Sequence, residues 1–304
     1  MRILVVGAGG TGGYFGGRLA EAGLDVTFLV RPARARALAA GGLVIRSVKG
    51  DAHLPAPSVV TADRLEPVFD LVLLSCKAYD LDDAVAAMAP GIGPHALILP
   101  LLNGMRHLDV LDARFGAPQV LGGQCVISAA LDAEGQVLHL NDAHTLTFGP
   151  RASGQDARAR AIAELFGRAG FATRLSDAIM QDMWEKWVFI AALAGITCLM
   201  RAPVGAIVEA GGAGIALGLA AECAGIAARQ GFELRPAAAA RLKEWLATPG
   251  SAMTASMLRD MEQGGRIEAG HIIGDLLRRG DAAACPLLAI ADVHLRAYEI
   301  RRAG

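Results

Sequence analysis

A glycine-rich loop near the N-terminus decides much about the fold of this chain. Arg2 to Gly7 predicts an apolar strand, Thr11 to Ala22 predicts a helix, and the pattern G-x-G-x-x-G lies between them. In dinucleotide-binding βαβ units the first glycine makes a tight turn, the second admits a pyrophosphate, and the third lets helix and strand pack closely. The helix N-terminus adds N–H groups and a positive dipole. We therefore predict a dinucleotide site formed by Gly7, Ala8, Gly9, Gly10, Thr11 and Gly12.

The end of the second predicted strand, Asp25 to Val30, indicates which dinucleotide is bound. Sites for NAD usually place a carboxylate there, about 20 residues past the glycines, to bind the ribose hydroxyls. This chain has Arg31 at that point and no carboxylate near the strand end. Because a guanidinium suits a 2′-phosphate, the sequence favours NADP(H) over NAD(H). A solvated loop arginine is the alternative, since Arg34 and Arg36 follow closely.

The first half of the chain alternates short apolar runs with helical segments. The runs Leu71 to Ser75 and Ala96 to Leu102 are continuous, as expected for parallel strands buried on both faces. Strand, helix and strand in this order predict a mainly parallel sheet. Gln136 to Leu140 and Leu146 to Phe148 predict a hairpin that turns at Asn141-Asp142.

The second half of the chain has a different character. Strand signals vanish from about Asp177, and amphipathic, alanine-rich runs such as Ile215 to Gln230 and Pro236 to Leu246 follow. We therefore predict an α/β Rossmann-like domain over residues 1–175 and an all-α domain over residues 176–304, which would serve substrate binding or dimerisation. The helix predicted from Ala210 to Ala228 is rich in alanine and glycine and is suited to close packing against another helix. That helix could belong to the same subunit or to the second subunit of a homodimer.

Composition excludes several classes of protein. The chain has 29 basic and 30 acidic residues mixed along its length, which argues against a nucleic-acid partner. Its five cysteines are far apart and show no metal-ligand spacing, so we predict no disulfides, no metal site and a reducing, cytoplasmic location. The uncharged run Trp187 to Met200 is shorter than the roughly 20 residues of a membrane span, so we predict a buried helix and no membrane partner.

Several short motifs are spread over nearly the whole chain. They are GAGGTG at 7–12, Leu-Val-Arg at 29–31, Ser-Cys-Lys-Ala at 75–78, Leu-Asn-Gly-Met at 102–105, Met-Trp-Glu-Lys at 183–186, Ala-Ser-Met-Leu-Arg-Asp at 255–260 and Gly-Arg-Ile-Glu at 265–268. In this order and spacing they resemble the motifs of the ketopantoate reductase (2-dehydropantoate 2-reductase) family. The resemblance implies a Rossmann domain joined to a helical domain, NADPH as cofactor, and reduction of a 2-oxo acid to a 2-hydroxy acid. In the family the substrate is ketopantoate, whose reduction feeds pantothenate and coenzyme A synthesis.

The resemblance also implies roles for individual residues. Lys186 matches the catalytic lysine, which binds the substrate carbonyl and protonates the nascent alkoxide. Asn103 matches a residue that contacts cofactor and substrate, and Lys77 matches a lysine that contacts the cofactor. Glu268 matches an acidic residue near the catalytic centre and the nicotinamide ribose. Ser256 matches a serine that holds the substrate carboxylate.

The residues alone allow simpler interpretations. Lys186 lies one helical turn after Asp182, so an ion pair on a helix surface would explain it. Its neighbours Trp184 and Trp187 favour a lysine partly withdrawn from water, and such a lysine suits acid catalysis. Glu268 and Ser256 alone would be surface residues, and the histidines show no catalytic or metal-ligand spacing.

The chain departs from the family at four polar positions. Family asparagines on the catalytic helix correspond to Ile190 and Ala194, and two further polar positions correspond to Val204 and Met253. Apolar side chains cannot bind the hydroxyl groups that those residues bind. Two alternatives to ketopantoate reduction therefore stay open, namely a related reductase of a less polar 2-oxo acid or ketone, and a non-catalytic NADP-binding sensor.

Overall fold

A computed structural model describes all 304 residues, which fall into two compact units. The first unit consists of Met1–Leu102 and His107–Met180, and the second of Asn103–Arg106 and Gln181–Gly304. The units divide after Met180 rather than at residue 175. The segment Asn103–Arg106, which the sequence assigned to the first domain, belongs to the second unit, where the side chain of Asn103 accepts a hydrogen bond from Lys186. All five cysteines are free thiols.

Every strand of the chain lies in the first unit. The strands are β1 (Arg2–Val6), β2 (Asp25–Leu29), β3 (Leu43–Ser47), β4 (Ala52–Leu54), β5 (Ser58–Val60), β6 (Leu71–Leu74), β7 (Leu97–Pro100), β8 (Gly122–Leu131), β9 (Val137–Gly149) and β10 (Ala172–Leu175). The helices along the same stretch of chain are α1 (Gly10–Glu21), α2 (Pro32–Gly41), α3 (Leu81–Met88), α4 (Arg106–Phe115) and α5 (Asp156–Phe166).

Five of the strands form a parallel sheet in the order β5-β2-β1-β6-β7. All residues of β6 and β7 are buried, which explains their continuous apolar runs. The strand order reverses beside β1, so the loop that follows β1 lies at the switch point where such sheets bind ligands. This arrangement confirms the predicted Rossmann-like domain.

A second sheet, built around β9, was not predicted. β9 runs unbroken from Val137 to Gly149, antiparallel to β8 and parallel to β3 and β10. The predicted turn at Asn141-Asp142 is therefore wrong, because both residues lie within the strand. The Oδ1 atom of Asn141 accepts a hydrogen bond of 3.2 Å from the N–H of Ser128, where β8 has an irregular register.

The hairpin turn lies instead between β8 and β9. The N–H of Gln136 donates to Oδ1 of Asp132 at 2.7 Å, and Gly135 adopts a φ of +80°. Glycine adopts this left-handed conformation with no steric penalty. The hairpin turn is thus formed by the Asp132 side chain and by Gly135, and not by Asn141-Asp142.

Helix α1 packs closely against both sheets because its inner face consists of glycines. A Cβ atom on Gly16 would lie 2.7 Å from the ring of Phe28 in β2, and one on Gly17 would lie 2.7 Å from Ile45 in β3. The unusual number of glycines in this helix therefore reflects packing on two sides. Close packing here fixes the start of α1, and with it the glycine loop.

The second unit is helical, as the sequence predicts. Its helices are α6 (Ile179–Met200), α7 (Val204–Glu209), α8 (Ala213–Arg229), α9 (Pro236–Ala247), α10 (Ser256–Glu262), α11 (Asp275–Arg278) and α12 (Pro286–Ala303). A turn of π-helix at Gly270–Gly274 precedes α11.

Helix α6 is the longest helix of the second unit. By length and composition it is the one helix of the chain that could cross a membrane, but 67% of its apolar window is buried inside the protein. Trp187 is 1% exposed, and its Nε1 donates to the carbonyl oxygen of Ile272 at 2.9 Å. The burial is that of a core helix, in agreement with the predicted buried helix.

Candidate active site

The glycine loop after β1 has the shape that the sequence predicts for a phosphate-binding turn. Gly7 adopts a φ of +93°. A Cβ atom on Gly12 would overlap the carbonyl oxygen of Gly7 and the side chain of Ser75 at the end of β6. A Cβ atom on Gly9 meets nothing within 4 Å. The loop is therefore closed on its packed side at Gly12 and open at Gly9.

The start of α1 offers backbone N–H groups beside that open position. Gly9 is the N-cap, and the N–H of Gly13 donates to its carbonyl oxygen at 2.7 Å. The N–H groups of a helix's first turn have no partners within the helix. These free N–H groups and the positive end of the helix dipole together attract an anion to the N-terminus of α1. We call the open space at the Cβ position of Gly9 the cradle. The cradle and these N–H donors fit the diphosphate of a dinucleotide.

Other residues of the first unit border the loop. The guanidinium of Arg34 donates twice to the carbonyl oxygen of Ala8, at 3.0 and 3.2 Å, and burial lowers the pKa of Arg34. A Cβ atom on Gly10 would lie 2.7 Å from the carbonyl oxygen of Ala129, so β8 also approaches the loop. Thr11 lies in the first turn of α1.

The two basic residues predicted to contact the cofactor both lie at the carboxyl edge of the parallel sheet. Arg31 follows β2 as the N-cap of α2, and its side chain is 72% exposed. Its Nη2 atom lies 3.2 Å from Oδ1 of Asp80 and 4.0 Å from Oδ2 of Asp83. Lys77 follows β6 and is exposed. The sequence did not predict the acidic neighbours of Arg31.

In the second unit the structure brings together Lys186 and Asn103. The Nζ atom of Lys186 donates to Oδ1 of Asn103 at 2.9 Å, and both residues are half-buried. Asp182, the neighbour in the simpler interpretation, is buried in an ion pair with Arg235. The contact between ammonium and amide gives the lysine a fixed direction that an exposed surface lysine lacks.

Glu268 and the unpredicted residue His271 complete this cluster. His271 is 6% exposed, and a Cβ atom on Gly104 would lie 2.9 Å from its ring. Burial lowers the pKa of His271, opposed by the charges of Glu268 and Asp275 and by a hydrogen bond to the backbone of Asn103. The imidazole of His271 therefore holds the backbone of the same asparagine whose side chain accepts a hydrogen bond from Lys186.

Ser256 lies apart from this hydrogen-bonded cluster. It is exposed at the first position of α10. The preceding residue, Ala255, donates its N–H to Oγ1 of Thr197 on α6 at 3.4 Å. The start of α10 is thus attached to the helix that carries Lys186.

The four apolar replacements differ in exposure. Ile190, one turn after Lys186 on α6, and Met253 are half-buried. Ala194 and Val204 are 2% and 1% exposed, and the N–H of Val204 donates to the carbonyl oxygen of Met253 at 3.0 Å. Of the four replacements, only Ile190 and Met253 thus keep part of their side chains exposed.

Comparison with known proteins gives two family matches that together cover most of the chain. Residues 3–153 match the family described as "Ketopantoate reductase PanE/ApbA". Residues 178–295 match "Ketopantoate reductase PanE/ApbA C terminal". The two segments correspond closely to the α/β part and the helical part of the fold.

Individual proteins agree with these matches. An uncharacterised oxidoreductase of Bacillus subtilis, YkpB, is 39% identical, with 99% of this chain and 100% of that protein covered. The crystal structure of a PanE/ApbA family ketopantoate reductase from Ralstonia eutropha has a TM-score of 0.88 at 26% identity, with 100% of both chains covered. A D-mandelate dehydrogenase solved with NADH and anilino(oxo)acetate has the same fold, with a TM-score of 0.89 at 21% identity and 100% of both chains covered.

The fold, the glycine loop and these matches define a Rossmann-type oxidoreductase that acts on a CH–OH group. The chain belongs to the ketopantoate reductase family. The resemblance seen in the sequence motifs is thereby confirmed.

The sequence analysis assigned no site role to four residues that lie at the candidate site. They are Arg34, Ser75, Asp80 and His271. Ser75 and Asp80 follow β6, which neighbours β1 at the switch point, so knowledge of the strand order would have drawn attention to both. His271 stands three positions after Glu268, a spacing that places two helical residues on one face.

Proposed function

We propose that this protein reduces the ketone of a 2-oxo acid to a 2-hydroxy acid, with NADPH as the hydride donor and Lys186 as the acid. The hydrogen bond of 2.9 Å between Lys186 and Asn103 carries the proposal. It holds the ammonium group in one direction against Asn103, whose backbone is held by His271, and an acid catalyst requires such a fixed direction. The family to which the chain belongs supports the reaction type.

Each group in the chain has a defined task in this reaction. NADPH, when bound, supplies a hydride for the carbonyl carbon. The Lys186 ammonium donates a hydrogen bond to the carbonyl oxygen and gives up a proton as negative charge develops there, which yields the hydroxyl group. Asn103 keeps the ammonium aimed, and Ser256 is assigned to the substrate carboxylate. Lys186 then regains a proton from water.

Most of the residues assigned to the cofactor lie in the first unit. The open cradle at Gly9 and the N-terminus of α1 take the diphosphate, and Arg31 takes the 2′-phosphate. Lys77, Asn103 and Glu268 are assigned further cofactor contacts by their match to the family motifs.

Ketopantoate is the substrate that the family favours, and the reaction would then belong to pantothenate synthesis in the cytoplasm. A second candidate is a less polar 2-oxo acid. Ile190 and Met253 favour it, because both keep exposed surface where the family has polar side chains. An apolar side chain at such a position leaves a substrate hydroxyl without a partner.

The test is NADPH oxidation by the purified protein with ketopantoate and with a series of apolar 2-oxo acids. Lys186→Ala is expected to lower kcat by roughly 10²- to 10⁴-fold, the usual contribution of an acid catalyst. Lys243→Ala, which removes an exposed lysine from α9, is the matched control and should retain full activity.

The outcome also distinguishes the candidates. Higher kcat/KM for ketopantoate than for the apolar acids supports the family substrate, and the reverse order supports the second candidate. Tight NADPH binding without turnover of any 2-oxo acid would instead indicate a nucleotide-binding sensor. Full activity in Lys186→Ala would refute the assignment of the acid.

A further inference from the structure

Two carboxylates lie beside the arginine assigned to the 2′-phosphate. Oδ1 of Asp80 accepts a hydrogen bond of 3.2 Å from Nη2 of Arg31, and Oδ2 of Asp83 lies 4.0 Å from the same nitrogen. Arg31 is the N-cap of α2, and Asp80 is the N-cap of α3. Arg31 follows β2 and Asp80 follows β6, and these two strands flank β1 in the sheet. The two residues therefore meet at one edge of the sheet, although they are 49 positions apart in the chain.

The two kinds of side chain favour different cofactors. In dinucleotide sites a guanidinium at this edge binds a 2′-phosphate, whereas a carboxylate accepts hydrogen bonds from the ribose hydroxyls of NAD(H). A phosphate monoester carries nearly two negative charges near neutral pH, so an adjacent carboxylate repels it. The carboxylate also occupies a guanidinium N–H group that the phosphate would use. Arg31 and Asp80 therefore act in opposite directions on cofactor choice.

We propose that Asp80 limits the preference of this protein for NADPH and allows NADH to serve as a second cofactor. This inference rests on the proposed function, which places the adenosine ribose beside Arg31. Asp80 rather than Asp83 is the deciding carboxylate, because it makes the shorter contact and its side chain is 29% exposed, against 84% for Asp83.

The solvent exposure of the Arg31–Asp80 ion pair limits how strongly Asp80 can change the cofactor preference. Ion pairs on protein surfaces contribute at most about 1 kcal/mol, since water and salt screen them. This energy corresponds to about a fivefold change in an equilibrium constant. Arg31 can consequently leave Asp80 for a phosphate, and Asp80 adjusts the preference without abolishing NADPH binding.

The experiment compares Asp80→Asn with the wild-type protein by calorimetric titration with NADPH and with NADH. Asparagine keeps the shape of aspartate and removes its charge. The ratio of the NADH Kd to the NADPH Kd should rise by about fivefold, mainly through tighter NADPH binding. Asp82→Asn is the matched control, because Asp82 is an exposed residue in the same first turn of α3 and loses the same charge. It should leave the ratio unchanged.

An unchanged ratio in Asp80→Asn overturns the inference, and so does an equal change in both variants, which would reflect net charge alone. If the wild-type protein binds neither nucleotide, the proposed function and this inference fail together. If it binds NADPH and reduces 2-oxo acids while Asp80→Asn keeps the wild-type ratio, only this inference fails.

Discussion

At the scale of single residues, the site depends on contacts between distant parts of the chain. Lys186 and Asn103 are 83 positions apart, yet they form one hydrogen bond of 2.9 Å. His271 contacts Gly104 and the backbone of Asn103 from the turn of π-helix. Short π-helical segments are frequent at functional sites. The backbone of Asn103 is thus held by His271, and its side chain holds the ammonium group of Lys186.

The buried imidazole predicts a pH dependence of stability. Burial lowers the pKa of His271 in the folded protein, so below about pH 6.5 the unfolded chain binds a proton that the folded chain does not. The free energy of unfolding contributed by this group is complete above pH 6.5 and falls as the pH drops towards the lowered pKa. His271→Gln, which does not titrate, should lose less of its free energy of unfolding than the wild type between pH 7.5 and 5.5.

Urea unfolding monitored by tryptophan fluorescence provides the measurement. All three tryptophans (Trp184, Trp187 and Trp245) lie in the second unit, together with His271. Identical losses in wild type and His271→Gln would contradict the prediction.

At the scale of elements, two glycines at the start of α1 differ in the space around them. Gly12 has no room for a side chain, whereas Gly9 has. Gly12 is required by packing, because an added methyl group would overlap the carbonyl oxygen of Gly7 and the side chain of Ser75. Packing does not require glycine at Gly9, because its Cβ position is open and its φ of −84° suits any residue.

Two alanine variants are expected to differ accordingly. Gly12→Ala should lower the free energy of unfolding by about 1–3 kcal/mol, as overpacking usually does. Gly9→Ala should fold with nearly wild-type stability and bind NADPH much more weakly, because its methyl group occupies the cradle. Urea unfolding followed by circular dichroism and calorimetric NADPH titration measure the two effects. Wild-type NADPH affinity in a folded Gly9→Ala protein would exclude this cradle as the diphosphate site.

At the scale of the whole molecule, the chain consists of two compact units with different secondary structure. A ligand that binds only the folded form stabilises that form by mass action. The glycine loop and Arg31 both lie in the first unit, so its unfolding should respond to the cofactor.

NADPH at about 100 times its Kd should stabilise the protein by about 2.7 kcal/mol. For a domain of this size each kcal/mol raises Tm by roughly 2–4 °C, so we expect a rise of roughly 5–10 °C. Thermal unfolding followed by far-ultraviolet circular dichroism measures it. Adenosine, which lacks the diphosphate, is the control and should leave Tm unchanged. An equal shift with adenosine would contradict diphosphate binding at α1.

The sequence by itself determined the features that depend on local pattern. The strand before Gly7, the helix after it and the buried runs that became β6 and β7 could be read from hydrophobic periodicity and glycine spacing, because neighbouring residues carry those signals. The helical second half followed in the same way. The family motifs identified Lys186 and Asn103 individually.

Only the tertiary structure decided which distant residues meet. Asn141 lies inside β9 because the backbone of Ser128 supplies it with a partner, and local turn propensity carries no information about that strand. In the same way, Asp80 reaches Arg31 and His271 reaches Asn103 through strand order and helix packing. Periodicity specifies which face of an element is buried, whereas the partner of each face is chosen by the packing of the complete chain.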